Sequence, residues 1–338
     1  MSSRTPPVSV LMPVRDGAEH LPDAVASLTA QRFPDFEVIA VDDGSVDGTP
    51  DLLCDWARRD ARVVVIPQPR RGIARALGSA LARSSAPFVA RMDADDIALP
   101  ERLGAQHAEL VASPELAVLG THVTLFPREG LTAGMRRYER WLSSLTTPEE
   151  IERDILIESP LCHPSVMARR DALLSAGGYR DIDGPEDYDL WLRLARAGFR
   201  MANLPQALLR WRDRPDRATR RDRRYRRRAI EALKLRHLTS WRLGGSRKVG
   251  IWGAGPHGKR WSRLLRARGV AVDFFVEVAP RKIGQRIHGA PVISGAGLPA
   301  PGETLVLVAV GVEGARELIR AELGRRGWTE PHDFLCLQ

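Results

Sequence analysis

The stretch VSVLMPVRDGAEHLPDAVASLTAQRFPDFEVIAVDDGSVDGT, residues 8–49, decides the fold. It opens with a short apolar run, Val8–Met12, which Pro13 ends and which predicts a buried strand. A second apolar run, residues 38–41, ends in the turn-rich residues 42–49. Between the two runs, apolar side chains recur at helical spacing: Leu21, Val25 and Leu28. Strand, helix and strand in this order indicate a parallel α/β sheet.

The alternation continues beyond this stretch. Helical spacing and apolar runs predict a helix through Leu52–Trp56, a strand at 63–66, a helix at 73–84 and a strand at 88–92. Acidic residues follow two of the predicted strands, at 42–43 and 93–96. Ligands of such sheets bind beyond the carboxyl ends of the strands. The sequence therefore predicts an α/β fold with a mostly parallel sheet and a ligand site at these acids.

A second, smaller α/β unit is predicted near the C-terminus. The apolar residues 249–252 lead into GAGPHG at 253–258, and further strands are predicted at 272–277 and 305–310. Gly244-Gly245-Ser246 marks the clearest boundary. We predict a first α/β domain at 1–214, a basic helical linker at 215–243 and a Rossmann-like domain at 244–338.

The charge of the chain is concentrated in one segment. The formal net charge is +9, and residues 217–228, with eight arginines and one aspartate, account for +7 of it. Binding of nucleic acid by the protein as a whole is therefore not expected. The segment has three interpretations that the sequence leaves open: docking on anionic lipid headgroups, contact with nucleic acid, or a solvated linker helix.

The remaining composition favours a cytoplasmic protein. Three widely spaced cysteines, Cys54, Cys162 and Cys336, suit reduced thiols and offer no zinc pattern. The N-terminal residues lack the layout of a signal peptide. The longest apolar stretch, near Leu305–Val310, is far shorter than the roughly 20 residues that span a bilayer. We expect a cytoplasmic location, with peripheral contact at the inner membrane face through residues 217–228 at most.

Asp93, Asp95 and Asp96 lie within four residues at a predicted strand end. Carboxylates this close raise one another's pKa, and a divalent cation removes that cost. Hard oxygen ligands suit Mg²⁺ or Mn²⁺. The alternative is an acidic turn that caps the helix beginning at Pro100.

The motifs together resemble the family 2 glycosyltransferases, which have the GT-A fold. The resemblance covers about residues 8–215 and rests on the opening stretch, RRGIARALGSAL at 70–81 and RMDADDIALPERL at 91–103. It implies a donor nucleotide sugar, UDP- or dTDP-linked, bound by the following residues: Pro13, Asp43, Arg71 and Asp93. It also implies that Asp95, with Asp93, holds the metal ion on the donor diphosphate.

GPEDYDLWLRL, residues 184–194, resembles the acidic element of inverting members of the family. The resemblance makes Asp187 the catalytic base and Glu186 its partner, because a hydroxyl nucleophile must lose its proton during displacement. The acceptor would be a glycan or a lipid-linked glycan, in cell-surface glycan synthesis. Acids in the first turn of a helix also stabilise its dipole, which leaves a structural role open for Glu186.

Two positions depart from the family pattern. Gly78 stands where the family commonly has an asparagine, and Arg214 stands at about the place where many members carry a late metal-binding histidine. A guanidinium matches diphosphate oxygens, so Arg214 is a candidate donor contact. Two other functions remain alternatives: a catalytically degenerate nucleotide-sugar sensor, and a nucleotidyltransferase, although residues 13–20 lack the glycine-rich basic signature of the latter.

The C-terminal GAGPHG fits the G-x-G-x-x-G pattern between a strand and a helix. Gly253, Gly255 and Gly258 would approach a nucleotide, and Glu277 would bind a ribose hydroxyl. The region resembles the N-terminal Rossmann-like domain of sugar O-acyltransferases, which implies nucleotide-sugar binding. A scaffold without a ligand is the alternative.

Overall fold

The chain forms two compact units. The computed structural model describes residues 5–215, 217, 220, 222–243 and 247–338. The first unit comprises residues 1–151 and 160–230, and the second comprises residues 152–159 and 231–338.

The first unit contains eight strands and most of the described helices. The strands are β1 (Val8–Val14), β2 (Phe36–Asp43), β3 (Val63–Gln68), β4 (Phe88–Arg91), β5 (Ile97–Ala98), β6 (Leu116–Phe126), β7 (Met167–Arg169) and β8 (Arg200–Arg212). The helices are α1 (Leu21–Thr29), α2 (Thr49–Arg59), α3 (Ile73–Arg83), α4 (Arg102–Ala112), α5 (Ala133–Leu142), α6 (Pro148–Asp154), α7 (Arg170–Ser175) and α8 (Glu186–Arg196).

The eight strands form one sheet in the order β3-β2-β1-β4-β7-β6-β8-β5. Strands β3, β2, β1 and β4 run parallel, and β6 runs parallel to β8. Strand β7 is antiparallel to β4 and β6, and β5 is antiparallel to β8. The predicted mostly parallel α/β sheet is confirmed, and the carboxyl ends of β1, β2 and β4 meet at one edge.

Strand β1 shows why the opening stretch folds as predicted. All seven of its residues are buried, as is typical of a central parallel strand with both faces covered. The prediction that Pro13 ends the strand was wrong, because β1 continues to Val14. Pairing with β4 ends at Leu11 whereas pairing with β2 reaches Val14, so Pro13 lies where β1 has a single neighbour. Proline, which lacks an N–H donor, is tolerated at such a position.

The second unit is a smaller α/β domain, as predicted. Its strands are β9 (Lys248–Trp252), β10 (Phe274–Val276), β11 (Arg286–Ile287), β12 (Ala290–Ile293), β13 (Thr304–Val308) and β14 (Phe334–Cys336), and its helices include α10 (Pro256–Arg266) and α11 (Ala315–Arg325). The order is β11-β12-β10-β9-β13-β14, and all pairs except β11 with β12 are parallel. Its core includes Trp252, Phe274, Leu323 and Trp328.

The predicted linker holds a well-packed helix, α9 (Arg227–Trp241). Leu233, Leu235 and Leu238 of this helix are all at most 3% exposed, which does not suit a solvated linker. From Glu231 onward the helix belongs to the second unit, whereas residues before it belong to the first. The predicted boundary at Gly244–Ser246 lies outside the described residues, and the domain limits remain a prediction.

Residues 152–159 are tied into the second unit by polar contacts. Asp154 forms an ion pair with Arg320, and the Lys234 ammonium donates to the backbone oxygen of Ile157. Arg242 pairs with Glu152 at 2.9 Å. The second unit therefore contains a short segment that is distant from the rest of it in sequence.

Within the described part of the chain, no helix is both long enough and apolar enough to cross a bilayer.

Two glycines of the first unit should respond to alanine in opposite directions. A Cβ at Gly78, inside α3, would meet nothing within 4 Å, whereas a Cβ at Gly120, on β6, would fall 2.1 Å from Oδ1 of Asn203. Alanine is about 0.5–1 kcal/mol better than glycine inside a helix. We expect Gly78→Ala to raise the free energy of unfolding by about that amount and Gly120→Ala to lower it by about 1–3 kcal/mol. Chemical denaturation of both variants measures this, and equal effects would contradict it.

Candidate active site

Three carboxylates converge just beyond the end of β4. Oxygen atoms of Asp93, Asp95 and Asp96 all lie within 4.8 Å of one another. Asp96 is buried, and its Oδ1 accepts the backbone N–H of Arg212 at 2.8 Å, while its Oδ2 has no hydrogen-bond partner among the described atoms. Burial, reinforced by the charge of Asp93, raises the pKa of Asp95 and raises that of Asp96 well above its usual range.

This cluster fits a divalent cation. The available ligands are carboxylate oxygens, which magnesium and manganese prefer, and one buried oxygen of Asp96 lacks a partner. The pKa values of Asp95 and Asp96 are raised by burial and by the charge of Asp93, and a bound cation would favour the ionised forms of both residues. Asp93 and Asp95 are the partly exposed members and therefore the ones accessible to a substrate.

Several arginines surround the cluster. Nε of Arg214 lies 3.1 Å from Oδ2 of Asp95, so the structure brings this predicted donor contact to the acidic cluster. The charge of Arg217 acts on Asp95 and Asp96. The sequence reasoning placed Arg217 only in a charge run, and nothing in the spacing singled it out.

A fully buried arginine, Arg91, joins the cluster to the second acidic group of the site. Arg91 is 3% exposed and forms an ion pair with Asp93. Burial opposes its charge, yet Asp93 raises the pKa of Arg91 above its ordinary value. Burial raises the pKa of Glu186 and of Asp187, and the charge of the same guanidinium offsets part of this rise. The sequence reasoning missed Arg91, although a charged residue at the end of a buried strand was a usable signal.

Arg102 fixes the strand that carries Arg91. It is 1% exposed, and its Nη2 donates to the backbone oxygen of Arg91 at 2.6 Å. Nε also donates to Gln106 at 3.2 Å. Burial lowers the pKa of Arg102 to about 10. A buried guanidinium bound to backbone oxygens makes the end of β4 a rigid support for the acids that follow it.

Asp43 lies at the end of β2 and organises the loop before α3. Its Oδ1 accepts hydrogen bonds from Gln68 (2.7 Å) and from the backbone N–H of Arg71 (2.8 Å), and its Oδ2 accepts from the backbone N–H of Gly72 (2.8 Å). Asp43 is 4% exposed, whereas Arg71 is exposed. The predicted base-binding residue thus holds the backbone of the predicted donor-binding residue Arg71.

The loop after β2 is bonded to the loop after β1, which follows Pro13. Ser45 accepts the backbone N–H of Asp16 (2.9 Å), and Asp16 accepts the backbone N–H of Val46 (2.9 Å). Gly44 has φ +72°, and a Cβ there would fall 2.8 Å from the backbone nitrogen of Arg70. Glycine is therefore required at position 44, where the loop after β2 closely approaches the loop before α3.

The acid pair occupies the first turn of α8. Asp187 is half-buried, and burial followed by the charge of Glu186 raises its pKa to about 7. Glu186 is 2% exposed; its Oε2 accepts the hydroxyl of Tyr225 at 3.0 Å, and its Oε1 lies 3.8 Å from Nδ1 of His163. A carboxylate that ionises near neutral pH suits a general base. The sequence analysis placed Tyr225 only within the basic segment 217–228 and gave it no role in the site.

His163 is a packed histidine. It is 7% exposed, its Nε2 lies 3.2 Å from the hydroxyl of Tyr179, and its ring meets Trp191 edge-on at 5.9 Å. Burial and then the charge of Arg91 lower the pKa of His163 well below its usual range. The imidazole is therefore neutral, and its proximity to Glu186 is not an ion pair.

The predicted nucleotide site of the second unit follows β9. A Cβ at Gly253 would lie 2.9 Å from the backbone oxygen of Ala309, and one at Gly258 would lie 1.8 Å from that of Gly253, so both glycines serve close strand–helix packing. A Cβ at Gly255 would meet nothing within 4 Å. Glu277 is committed elsewhere, because it pairs with Lys282 at 2.7 Å. Its predicted contact with ribose is not favoured by this pairing and stays a prediction.

Replacing Asp43 should release the loop before α3. Asp43→Asn presents an amide NH₂ where backbone N–H donors need an acceptor, and we expect a loss of about 1–3 kcal/mol in the free energy of unfolding. Hydrogen exchange at the amides of Arg71 and Gly72 should accelerate. Asp35→Asn, at an exposed position, is the matched control. Unchanged exchange at both amides would show that Asp43 does not hold this loop.

Comparison with known proteins agrees with this geometry. Residues 9–176 match the family described as Glycosyl transferase family 2. The amylovoran biosynthesis glycosyltransferase AmsE of Erwinia amylovora is 32% identical over 196 residues, which cover 58% of this chain and 71% of AmsE.

Two solved structures share the fold. TarS of S. aureus (residues 1–349), in complex with UDP-GlcNAc, aligns with a TM-score of 0.57 at 20% identity and covers 69% of this chain and 67% of that one. The mannosyltransferase PcManGT of Pyrobaculum calidifontis, in complex with GDP-Man and Mn²⁺, aligns with a TM-score of 0.51 at 20% identity and covers 72% and 66%. With a GT-A-type sheet and a relative above 30% identity, the chain belongs to glycosyltransferase family 2 and is a glycosyltransferase.

Proposed function

We propose that the protein is an inverting glycosyltransferase that moves a sugar from a nucleoside-diphosphate sugar to a hydroxyl group of a growing glycan. One observation carries the proposal: the buried Arg91 forms an ion pair with Asp93, and its charge also acts on the Glu186–Asp187 pair. A metal-binding cluster and a candidate base near one buried cation form the two halves of a displacement site.

The donor nucleotide binds along the ends of β1 and β2. Pro13 of β1 is paired with Val41 of β2, and Asp43 accepts a hydrogen bond from the backbone N–H of Arg71 in the loop before α3. The complexes of TarS with UDP-GlcNAc and of PcManGT with GDP-Man support a nucleotide sugar as donor. We favour a UDP- or dTDP-sugar, since an aspartate at this loop suits a pyrimidine imide N–H.

Asp95, together with Asp93, would hold Mg²⁺ or Mn²⁺. When bound, the ion would act as a Lewis acid that stabilises charge on the departing diphosphate. The Mn²⁺ complex of PcManGT supports a divalent metal. Arg214, at 3.1 Å from Asp95, is placed to bind diphosphate oxygens with its guanidinium. The positive charge of this arginine would replace part of the charge of the metal ion, at about the place where many family members have a metal-binding histidine.

Asp187 is the proposed base. It would accept the proton of the attacking hydroxyl while that oxygen bonds to the anomeric carbon and the bond from this carbon to the diphosphate breaks. Attack on the face opposite to the leaving diphosphate would invert the anomeric centre in a single displacement. Glu186 is nearly inaccessible and has contacts on both oxygens, so we assign it a supporting role rather than contact with substrate.

The acceptor is proposed to be a glycan, free or lipid-linked, in cell-surface glycan synthesis. The name of AmsE, a glycosyltransferase of amylovoran biosynthesis, supports this role. Part of the basic segment is neutralised internally, because Arg220 pairs with Asp213 and Arg224 pairs with Asp222. Contact with the inner face of a membrane would then depend on the exposed arginines at 226–228. The proposed location of the protein is the cytoplasm.

A donor screen tests the function. UDP-, dTDP- and GDP-sugars are added with and without Mn²⁺, and the thermal midpoint and the release of nucleoside diphosphate are measured. A donor at 100 times its dissociation constant adds about 2.7 kcal/mol of stability. Binding with slow release of the diphosphate supports a transferase. Absence of binding and release for the whole panel would refute the proposal.

Asp95→Asn and Arg214→Ala should weaken donor binding in different ways. Asp95→Asn removes a metal ligand, so the increase in donor affinity caused by Mn²⁺ should disappear. Arg214→Ala removes a diphosphate contact, so affinity should fall about tenfold both with and without Mn²⁺. Asp55→Asn, on the surface of α2, is the control. Isothermal titration with UDP in place of the full donor measures all four proteins, and an unchanged Mn²⁺ effect in Asp95→Asn would contradict the metal assignment.

The activity should depend on the ionisation of Asp187. Its pKa is raised to about 7, and only the ionised form accepts a proton, so kcat/KM for donor turnover should fall as the pH drops below about 7 and level off above it. Asp187→Asn should lower kcat by about 10²–10⁴-fold. The exposed Asp35→Asn serves as the control. A retained acid limb in Asp187→Asn would assign the base elsewhere.

A further inference from the structure

The basic segment reaches the acid pair through a short, well-defined turn. Residues Arg223–Tyr225 form a 3₁₀ turn whose N-cap is Asp222. Oδ1 of Asp222 accepts the backbone N–H of Arg224 at 2.9 Å, and Oδ2 pairs with the Arg224 guanidinium at 2.6 Å. The turn directs Tyr225 inward, where its hydroxyl donates to Oε2 of Glu186 at 3.0 Å.

Glu186 is held from two opposite sides. Tyr225 binds one carboxylate oxygen, and the neutral His163, itself within hydrogen-bond distance of the Tyr179 hydroxyl, faces the other at 3.8 Å. Glu186 is 2% exposed, so no bulk water replaces a lost partner. A buried carboxylate without its donor is costly. The position and charge of Glu186 therefore depend on Tyr225.

Asp187 follows Glu186 directly in the first turn of α8. The two carboxylates repel each other, so the charge on Glu186 affects how readily Asp187 ionises. A change at Glu186 is thus transmitted to the proposed base both through the shared helix turn and through its charge.

We propose that Tyr225 is a positioning residue of the transferase site, whose hydroxyl fixes Glu186 and through it the orientation and charge of Asp187. This inference rests on the proposed role of Asp187 as the base. It also makes the turn 222–225 part of the active site rather than a surface for lipid or nucleic acid.

The charges around this turn support its place in the first unit. Arg223 lies 3.9 Å from Asp183, in the loop before α8, and Arg224 is close enough to lower the pKa of Glu186 through its charge. The first unit extends to residue 230, so the turn, Asp183 and Glu186 all belong to it. The alternative is that the ring of Tyr225 only contributes to packing and that its hydroxyl has no effect on Glu186.

The pH dependence expected for Glu186 and Asp187 is affected by the titratable and charged groups that face these two carboxylates. Glu186 is faced by His163, Tyr225, Arg91 and Arg224. Asp187 is faced by Glu186 and by the charges of Arg91, and its charge reaches Tyr179 and Tyr225. His163 stays neutral and Tyr225 stays protonated over the working range, because burial lowers the pKa of His163 and raises that of Tyr225. The two carboxylates are therefore the groups of this set that titrate.

The first test needs no substrate. The thermal midpoint is measured from pH 5 to pH 8 for the wild type, Tyr225→Phe, Glu186→Gln and the double variant. A hydrogen bond to the ionised carboxylate stabilises the fold above the pKa of Glu186 and is lost as the pH falls through it. Tyr225→Phe should therefore lower the midpoint by roughly 2 °C more at pH 8 than at pH 5. In the Glu186→Gln background this pH-dependent difference should vanish.

Tyr138→Phe is the matched control, since it also removes a tyrosine hydroxyl. Tyr138 lies on α5, and its ring packs against Trp141 and Trp211. Its effect on the midpoint should not vary with pH through Glu186. If Tyr225→Phe behaves like this control, with a constant cost that persists in Glu186→Gln, the inference is overturned. This arm decides the contact between Tyr225 and Glu186 even if the donor screen finds no turnover.

The second test uses release of nucleoside diphosphate from UDP-GlcNAc, or from whichever donor of the panel turns over. In Tyr225→Phe, Glu186 should protonate more readily and repel Asp187 less, so the acid limb of kcat should move to lower pH. The weaker, less oriented base should lower kcat about tenfold, with the donor KM unchanged. An acid limb and kcat equal to those of the wild type would show that Tyr225 does not act through the acid pair.

Discussion

The buried ion pair between Arg91 and Asp93 is the interaction on which the site depends. A guanidinium that is 3% exposed is costly to desolvate unless carboxylates surround it. Carboxylates crowded at a sheet edge repel one another unless a cation lies among them. Each group therefore makes the other tolerable, and Arg102 fixes the backbone of Arg91 from behind. Removing the charge of Asp93 would leave Arg91 buried without its ion-pair partner, and removing Arg91 would leave the acidic cluster without its buried cation.

The parallel sheet explains why these groups meet. The carboxyl ends of β1, β2 and β4 lie at one edge, so the acids after β2 and β4 come together although some fifty residues separate them in the chain. Glu186 and Asp187, at the start of α8, also interact with the charge of Arg91. A helix N-terminus favours carboxylates there, which offsets part of the cost of burying Glu186.

The sequence predicted those features that depend on local pattern. Apolar runs of buried strands identified the first sheet, and acids after a predicted strand end singled out Asp93 and Asp95. Asp187 was singled out by the resemblance of residues 184–194 to the acidic element of the family, and the roles of all three residues stay predictions. It did not predict contacts between distant segments: Tyr225 with Glu186, Arg102 with β4, or the inclusion of residues 152–159 in the second unit. Each of these joins residues that no periodicity relates. Pro13 was misplaced for a related reason, because the number of neighbours of a strand is a tertiary property.

The segment 152–159 belongs to the second unit although the residues before and after it in the chain belong to the first. The chain leaves the first unit at residue 151, contributes Asp154 and Ile157 to the second, and returns at residue 160, three residues before His163. Cutting the polypeptide after Leu243 would deprive Asp154 of Arg320 while leaving it inside the transferase half. The two units are thus interleaved along the chain, because residues 152–159 of the second unit lie between two parts of the first.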